Sequence, residues 1–199
     1  MKTLRSILLP VDFSTISQNA YRYALLFADK VEASVDLMYC IPPSTAGLDD
    51  SPLKVSSHAS QLEEAKSKMH TFFRVGLKEV MHELEEVPAI NTFIRSGDLR
   101  RAIIDLAKTQ KTDLIIMGTE GREDIFDQIF GTKTSFLINK APCPVIVLPN
   151  GITYHPLKKI CFATNLNSSD AFIARQLLNL LHPHRPFFHF VHIKTTEEL

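Results

Sequence analysis

The 199-residue chain is 45% apolar, and its 22 Lys plus Arg balance 22 Asp plus Glu; such a chain can bury one ordinary core and part of a second. Its basic runs do not exceed the pairs Arg100-Arg101 and Lys158-Lys159, so it lacks the electrostatic footprint of a nucleic-acid partner. No stretch approaches a membrane span, and Met1-Lys2-Thr3-Leu4-Arg5 has no signal-peptide pattern, so a cytoplasmic protein without membrane contact is expected.

Leu4 to Val11 is an apolar run ending at Asp12, and Ser14, Thr15 and Ser17 then offer caps for a helix over about Ser17 to Val31. Val35 to Ile41 is the next predicted strand, stopped by Pro42-Pro43 before a polar loop to about Ser57. Leu62, Ala65, Met69, Phe72, Phe73, Leu77, Val80, Met81 and Leu84 recur at helical spacing, with Gly76 a tolerable interruption. Asn91 to Arg95 reads as a strand, Gly97-Asp98 as a turn and cap, and Leu99 to Thr109 as a helix with Ile103, Leu106 and Ala107 inward.

Asp113 to Met117 is the fourth strand, and Gly118, Gly121 and Gly131-Thr132 follow as Gly-x-x-Gly-x9-Gly-Thr. A glycine directly after a strand permits a tight turn, a second permits close approach of a ligand, and the third opens a helix from about Thr132 to Lys140. The spacing is neither a Walker A loop nor the dinucleotide fingerprint. A loop shaped by glycines without any ligand is the alternative. Ala141-Pro142-Cys143-Pro144 then leads into Val145 to Leu148, the fifth strand. Strands apolar along their length and alternating with helices predict an α/β fold, a doubly wound parallel sheet covered on both faces. Ligands bind such sheets beyond the carboxyl ends of the strands, where Asp12, Ile41 and Gly118 all fall. Asp12 could equally serve only the start of the helix.

Pro149 to Pro156 reads as a linker, with 1–149 as a complete domain and 150–156 as the connection. Leu157 to Asn165 then superposes on Leu4 to Asp12 without gaps at an offset of 153 residues, and Phe187 to Ile193 falls opposite Ser34 to Cys40. The match is one of apolar pattern: Leu157, Ile160, Arg175 and Leu178 are the identical positions. Residues 157–199 are thus expected to form a partial β-α-β repeat. Cys40, Cys143 and Cys161 each sit in an apolar run and are expected to be buried, reduced thiols. His182, His184, His189 and His192 crowd the C-terminal region, but His189 and His192 would face opposite sides of a strand, so no metal site is assigned.

Leu8-Leu9-Pro10-Val11-Asp12, the strand ending Leu37-Met38-Tyr39-Cys40-Ile41, Met117-Gly118-Thr119-Glu120-Gly121 through Gly131-Thr132, and Ala141-Pro142-Cys143-Pro144-Val145 together resemble the universal stress protein family. The resemblance covers about residues 4 to 148, with 157 to 193 like the opening of a second domain in tandem members. It implies a Rossmann-like sheet of strand order 3-2-1-4-5 and an adenine nucleotide, ATP or a relative, with Mg2+ held by a carboxylate as an option. By resemblance, Pro10 and Asp12 would line the adenine and ribose pocket, and Cys40 and Ile41 would contact adenine. Met117, Gly118, Gly121, Gly131, Thr132, Lys133 and Thr134 would surround ribose and phosphates at the positive end of a helix. Glu120, Glu123, Asp124 and Asp127 would oppose a triphosphate unless they face solvent, with Lys133 as an offset.

The expected function is a nucleotide-binding stress sensor or interaction module, with an unidentified protein partner. A weak ATPase using Asp12 and a metal, and a dimerisation module that binds no nucleotide, are the alternatives. Neither a nucleophile elbow nor an evident nucleophile and base pair occurs, which favours binding over catalysis. Val145 to Leu148 would be an edge strand in the family's sheet, so a homodimer through that edge is expected.

Overall fold

The structure is a computed structural model that describes residues 4–43, 58–119 and 132–193, and of residues 132–134 the backbone alone. Contacts divide the chain into a unit of residues 5–154 and a second containing residues 155–199 with 1–4. The first unit runs β1 (Ser6–Val11), α1 (Thr15–Val31), β2 (Ser34–Ile41), α2 (His58–Val80), β3 (Ile90–Ser96), α3 (Leu99–Thr109), β4 (Leu114–Thr119), α4 (Thr132–Lys140) and β5 (Val145–Pro149). Its sheet has the order β3-β2-β1-β4-β5 and is parallel in every described pairing. The fold class and strand order expected from sequence are those observed.

The central strand explains why helices lie on both sides. Ile7, Leu8 and Leu9 on β1, with Val35, Leu37 and Met38 on β2, are 0% exposed, so successive side chains are buried whichever face they point to. Each such side chain contributes about 1.5–3 kcal/mol when removed from water. On one face Leu8, Met38 and Cys40 pack with Ile103, Leu106 and Ala107 of α3 and Leu137 of α4. The edge strand β3 departs from the pattern: Asn91, Thr92, Arg95 and Ser96 are exposed, because an edge needs apolar cover on fewer sides.

Local chemistry sets the helix starts. Ser14, extended at φ −71° and ψ 165°, accepts from Ser17 N at 3.2 Å and caps α1, which therefore begins at Thr15 and not Ser17. Asp98 accepts from Arg101 N at 3.0 Å and caps α3 at the position expected from sequence. α2 ends at Val80, so Met81, expected on its buried face, is 52% exposed. Asp29 then accepts from the backbone N–H groups of Glu85 and Glu86 at 3.0 and 2.9 Å, tying the turn after α2 to α1.

Two glycines are required by close approach. A β-carbon on Gly76 would clash with both Tyr21 Cδ1 and Gln18 Nε2, so the glycine of α2 is the contact point of the α1–α2 crossing and not an incidental interruption. Gly118 lies within β4, paired with Leu148, and not in a turn after it. A β-carbon there would meet Ile16 Cγ2 at 2.7 Å and Ile16 O at 2.9 Å, so its bareness lets the first turn of α1 rest on β4.

Residues expected to be linker belong in part to the first unit: Asn19 Nδ2 donates to Ile152 O at 3.1 Å, and Tyr154 packs edge-on against Tyr23 at 5.3 Å. Burial pushes the Tyr154 hydroxyl up to about 12, with Tyr23 and Asp29 adding to the shift.

The second unit contains β6 (Lys159–Ala163), α5 (Asp170–Leu180), a 3-10 turn (His182–His184) and β7 (Phe187–Val191), with β6 and β7 parallel. Lys159 pairs with Phe187 where Ser6 pairs with Ser34, and the five pairs through Ala163 and Val191 keep that displacement of 153 positions. Left-handed residues recur at the same displacement, Phe13 and Glu32 at φ 65° and 56° against Leu166 and Arg185 at 62° and 49°. Ser34 N donates to Arg5 O at 2.8 Å, and Phe187 N to Lys158 O at 2.9 Å. Cys161, expected to be buried, is exposed on β6, whereas Cys40 is buried and Cys143 intermediate. Its counterpart Leu8 is covered by α3 and α4, and no such helices follow β7 among the described residues.

Two substitutions test the close approaches. Gly76→Val is expected to destabilise the protein by about 1–3 kcal/mol in urea unfolding through overpacking against Tyr21. Gly118→Ala, an innocuous change in an open turn, is expected to cost a similar ~1–3 kcal/mol without any ligand, because Ile16 O is backbone and must move; an unchanged unfolding midpoint would refute the contact.

Candidate functional site

The site begins with the residues that leave the sheet. β1 ends at Val11, and Asp12 Oδ1 accepts from Ser14 N at 3.0 Å, closing an Asx turn that carries the chain into α1. Phe13 between them is left-handed at φ 65°, a conformation rare for an aromatic residue. Its ring is held 4.5 Å from Tyr39 and 5.7 Å from Phe72, so packing on β2 and α2 stabilises the strained backbone. Burial opposes ionisation of Asp12, but hydrogen bonds from Ser14 and Ser17 outweigh it and hold the carboxyl below its ordinary value. Asp12 is thus a carboxylate at neutral pH, exposed at the sheet's carboxyl edge.

β2 delivers Cys40 and Ile41 to the same edge, and their polar groups already have partners. Ile41 O accepts from Gly97 N at 3.0 Å, and Cys40 Sγ donates to Gly97 O at 3.3 Å. Burial, aided by the Asp98 charge, pushes the Cys40 thiol up and keeps it protonated. Gly97 itself is at φ 114°, so the turn after β3 depends on glycine. Met117 packs against the core cluster beneath α3 and α4, and Pro10 sits in β1 opposite Met38.

Pro10, Asp12, Cys40, Ile41, Met117 and Gly118 therefore come together at the carboxyl ends of β1, β2 and β4, where the strand order reverses. Thr132, Lys133 and Thr134 form the first turn of α4; Gly121 and Gly131, with the acidic residues between them, lie outside the described residues. Phe13 and Ile16 carry no expectation from sequence, and Gly97 is expected there only as a turn residue. The Asp-x-Ser order at residues 12–14 was a readable Asx-turn signal, whereas the Ile16–Gly118 contact joins residues 102 positions apart and has no local signature. A side-chain contact between His58 Nε2 and Ser96 Oγ at 3.1 Å links the start of α2 to the end of β3 in the same way. Among the described residues no cluster of three His, Cys, Asp or Glu could hold a metal, and no helix is long and apolar enough to cross a membrane.

Comparison with known proteins agrees with this architecture. The model of the universal stress protein family matches residues 3–149. Universal stress protein MJ0531 of Methanocaldococcus jannaschii is 28% identical over 145 residues, covering 72% of this chain and 81% of that protein. A universal stress protein structure from Archaeoglobus fulgidus superposes with a TM-score of 0.71 over 97% of this chain and 68% of its own, at 14% identity. A universal stress protein in complex with cAMP superposes with a TM-score of 0.53 over 74% of this chain and 98% of its own, at 15% identity. These last two likenesses are of fold. With the family model spanning the entire five-stranded unit, the chain belongs to the universal stress protein family.

Proposed function

We propose that the unit of residues 5–154 binds an adenine nucleotide across the carboxyl ends of β1, β2 and β4, and that occupancy alters its protein contacts in a cytoplasmic stress response. One observation carries the reading: an ionised Asp12 stands at the strand-order reversal beside Ile41 and Gly118, the position where open α/β sheets take ligands. Asp12 would accept ribose hydroxyls, Pro10 and Ile41 would offer apolar contact to the base, and the first turn of α4 would present backbone N–H groups to phosphate. The same fold holding cAMP in a structural neighbour supports adenine as the base. Mg2+, if used, would enter with the phosphates. The Asp12 carboxylate accepts from Ser14 N of its own turn, which favours retention of nucleotide over turnover.

A second reading keeps the fold and drops the ligand. The bareness of Gly118 is filled by Ile16, and Gly97 satisfies Ile41 and Cys40, so these residues have packing reasons that need no nucleotide. Under either reading β5 is the last strand of the sheet among the described residues, the position expected of Val145 to Leu148. We infer that two copies pair along it, and that residues 157–199 are a partial repeat of β1-α1-β2 with no nucleotide site of its own, since Asn165 replaces Asp12.

Calorimetric titration with ATP, AMP and cAMP tests the first reading. At most one nucleotide per chain is expected, with an affinity lowered about tenfold (about 1.4 kcal/mol) by Asp12→Ala and, because the Asp12 pKa is depressed, no contribution of Asp12 to pH dependence between about pH 5 and 8. The sign follows from that depression: stabilisation from the carboxylate is complete above its unfolded pKa and is lost only as pH falls through the folded value. Absence of binding by all three nucleotides would leave the ligand-free module; multiple turnovers of ATP abolished by Asp12→Ala would make the protein an enzyme. For β5, light scattering at micromolar concentration is expected to show a dimer that Val147→Lys weakens at least tenfold, and a monomeric wild type would rule this interface out.

A further inference from the structure

We propose that the cleft between α2 and β3 is a ligand site on the flank of the sheet, and that it takes a small amphipathic carboxylate. The cleft arises from how α2 covers the sheet. Ala65, Met69, Phe72, Gly76 and Val80 form the buried stripe of the helix, and Lys66, His70 and Phe73, next to that stripe, line the cleft over β3. On the strand, Ile90, Thr92 and Ile94 alternate onto the same face and pair with Val35, Leu37 and Tyr39 of β2. Val35 and Leu37 are 0% exposed, whereas Ile90 and Ile94 are only half-buried, because β3 ends the sheet on this side and α2 covers it incompletely. The space left between them is about 300 Å³, at the lower limit of ligand pockets. With roughly 30 Å³ for each water displaced, it has room for about ten non-hydrogen atoms.

The lining indicates the occupant. Met69, Phe73, Ile90 and Ile94 give apolar walls, and the polar lining consists of Lys66, His70 and Thr92, with no carboxylate among the lining residues. Apolar walls with a few convergent polar groups are the ordinary make-up of a small-molecule site. Lys66 and His70 are four positions apart on α2, one turn apart on the same side of the helix. Their ammonium and imidazole N–H groups can each meet one oxygen of a carboxylate, and the Thr92 hydroxyl can donate from the strand. The His70 ring is tilted against Phe73 with centroids 6.5 Å apart, so the polar lip adjoins the apolar wall. Lys66 also donates to Glu63 Oε1 at 2.7 Å, but the two side chains are 55% and 71% exposed, and such a surface pair is weak enough to exchange for another carboxylate. Charge complementarity thus sets a negative head, and the walls require an apolar body behind it.

The test uses the full chain, free of nucleotide, with octanoate as the probe and isotope-labelled isoleucine δ1-methyl groups as NMR reporters. Octanoate is expected to shift Ile90 and Ile94 saturably with a Kd of about 0.1–1 mM, while Ile7 and Ile116, both 0% exposed in the core, do not move. Lys66→Gln is expected to weaken binding about tenfold, and Glu63→Gln to strengthen it about threefold by removing the competing carboxylate. Thr92→Trp, at an exposed strand position, fills the cleft and is expected to abolish the shifts. Octylamine and octanol carry the same body without the negative head and are expected to bind at least about tenfold more weakly. Equal affinity for octanol and octanoate would overturn the proposal, as would shifts confined to Ile160 and Ile173 of the second unit, or no shifts at all.

Discussion

Burial of β1 on both faces is the constraint on which the rest depends. Three consecutive side chains, Ile7, Leu8 and Leu9, are fully enclosed, and a parallel strand can reach that state only with helices above and below it. Each connecting helix must leave the carboxyl edge of the sheet, so α1, α3 and α4 all begin there. The same requirement presses α1 onto β4, where Ile16 occupies the space that a side chain at 118 would need. The grouping of strand ends and helix starts at one edge is thus a by-product of covering the core.

That origin explains why structural and ligand roles are hard to separate at this edge. The Asp12 carboxylate closes a turn around a left-handed Phe13, and the aromatic contacts with Tyr39 and Phe72 secure it. Such pre-organisation is what a binding residue requires, because its orientation is settled before a ligand arrives. It is equally what a helix start requires. The ionisation of Asp12 is the feature a purely structural turn does not need, since the neutral Asn165, equally exposed, makes the corresponding bond to Asn167 N at 3.4 Å.

The C-terminal unit applies the same local rules without the cover. Its register, left-handed residues and inter-strand bond follow β1-α1-β2 at a constant displacement, yet large apolar side chains such as Phe172, Phe187 and Phe190 remain exposed. Local geometry is therefore set by short-range sequence, while burial is conferred by neighbours, and the two can part company within one chain.

Element type and order were legible in the sequence because each depends on neighbours within a few positions. Apolar runs bounded by Pro42 and Pro144 marked strands, the Asp98 side chain marked the start of α3, and the spacing of Ala65, Met69 and Phe72 marked the buried face of α2. The offset of 153 was equally visible, because a pattern of apolar residues survives substitution. The tertiary structure alone decided what Gly76 and Gly118 are for, that the carbonyl of Ile41 is satisfied by Gly97, and that Cys161 faces outward. The physical reason is common to all of them: each is set by atoms from an element distant in the chain, and no local pattern records which element will arrive there.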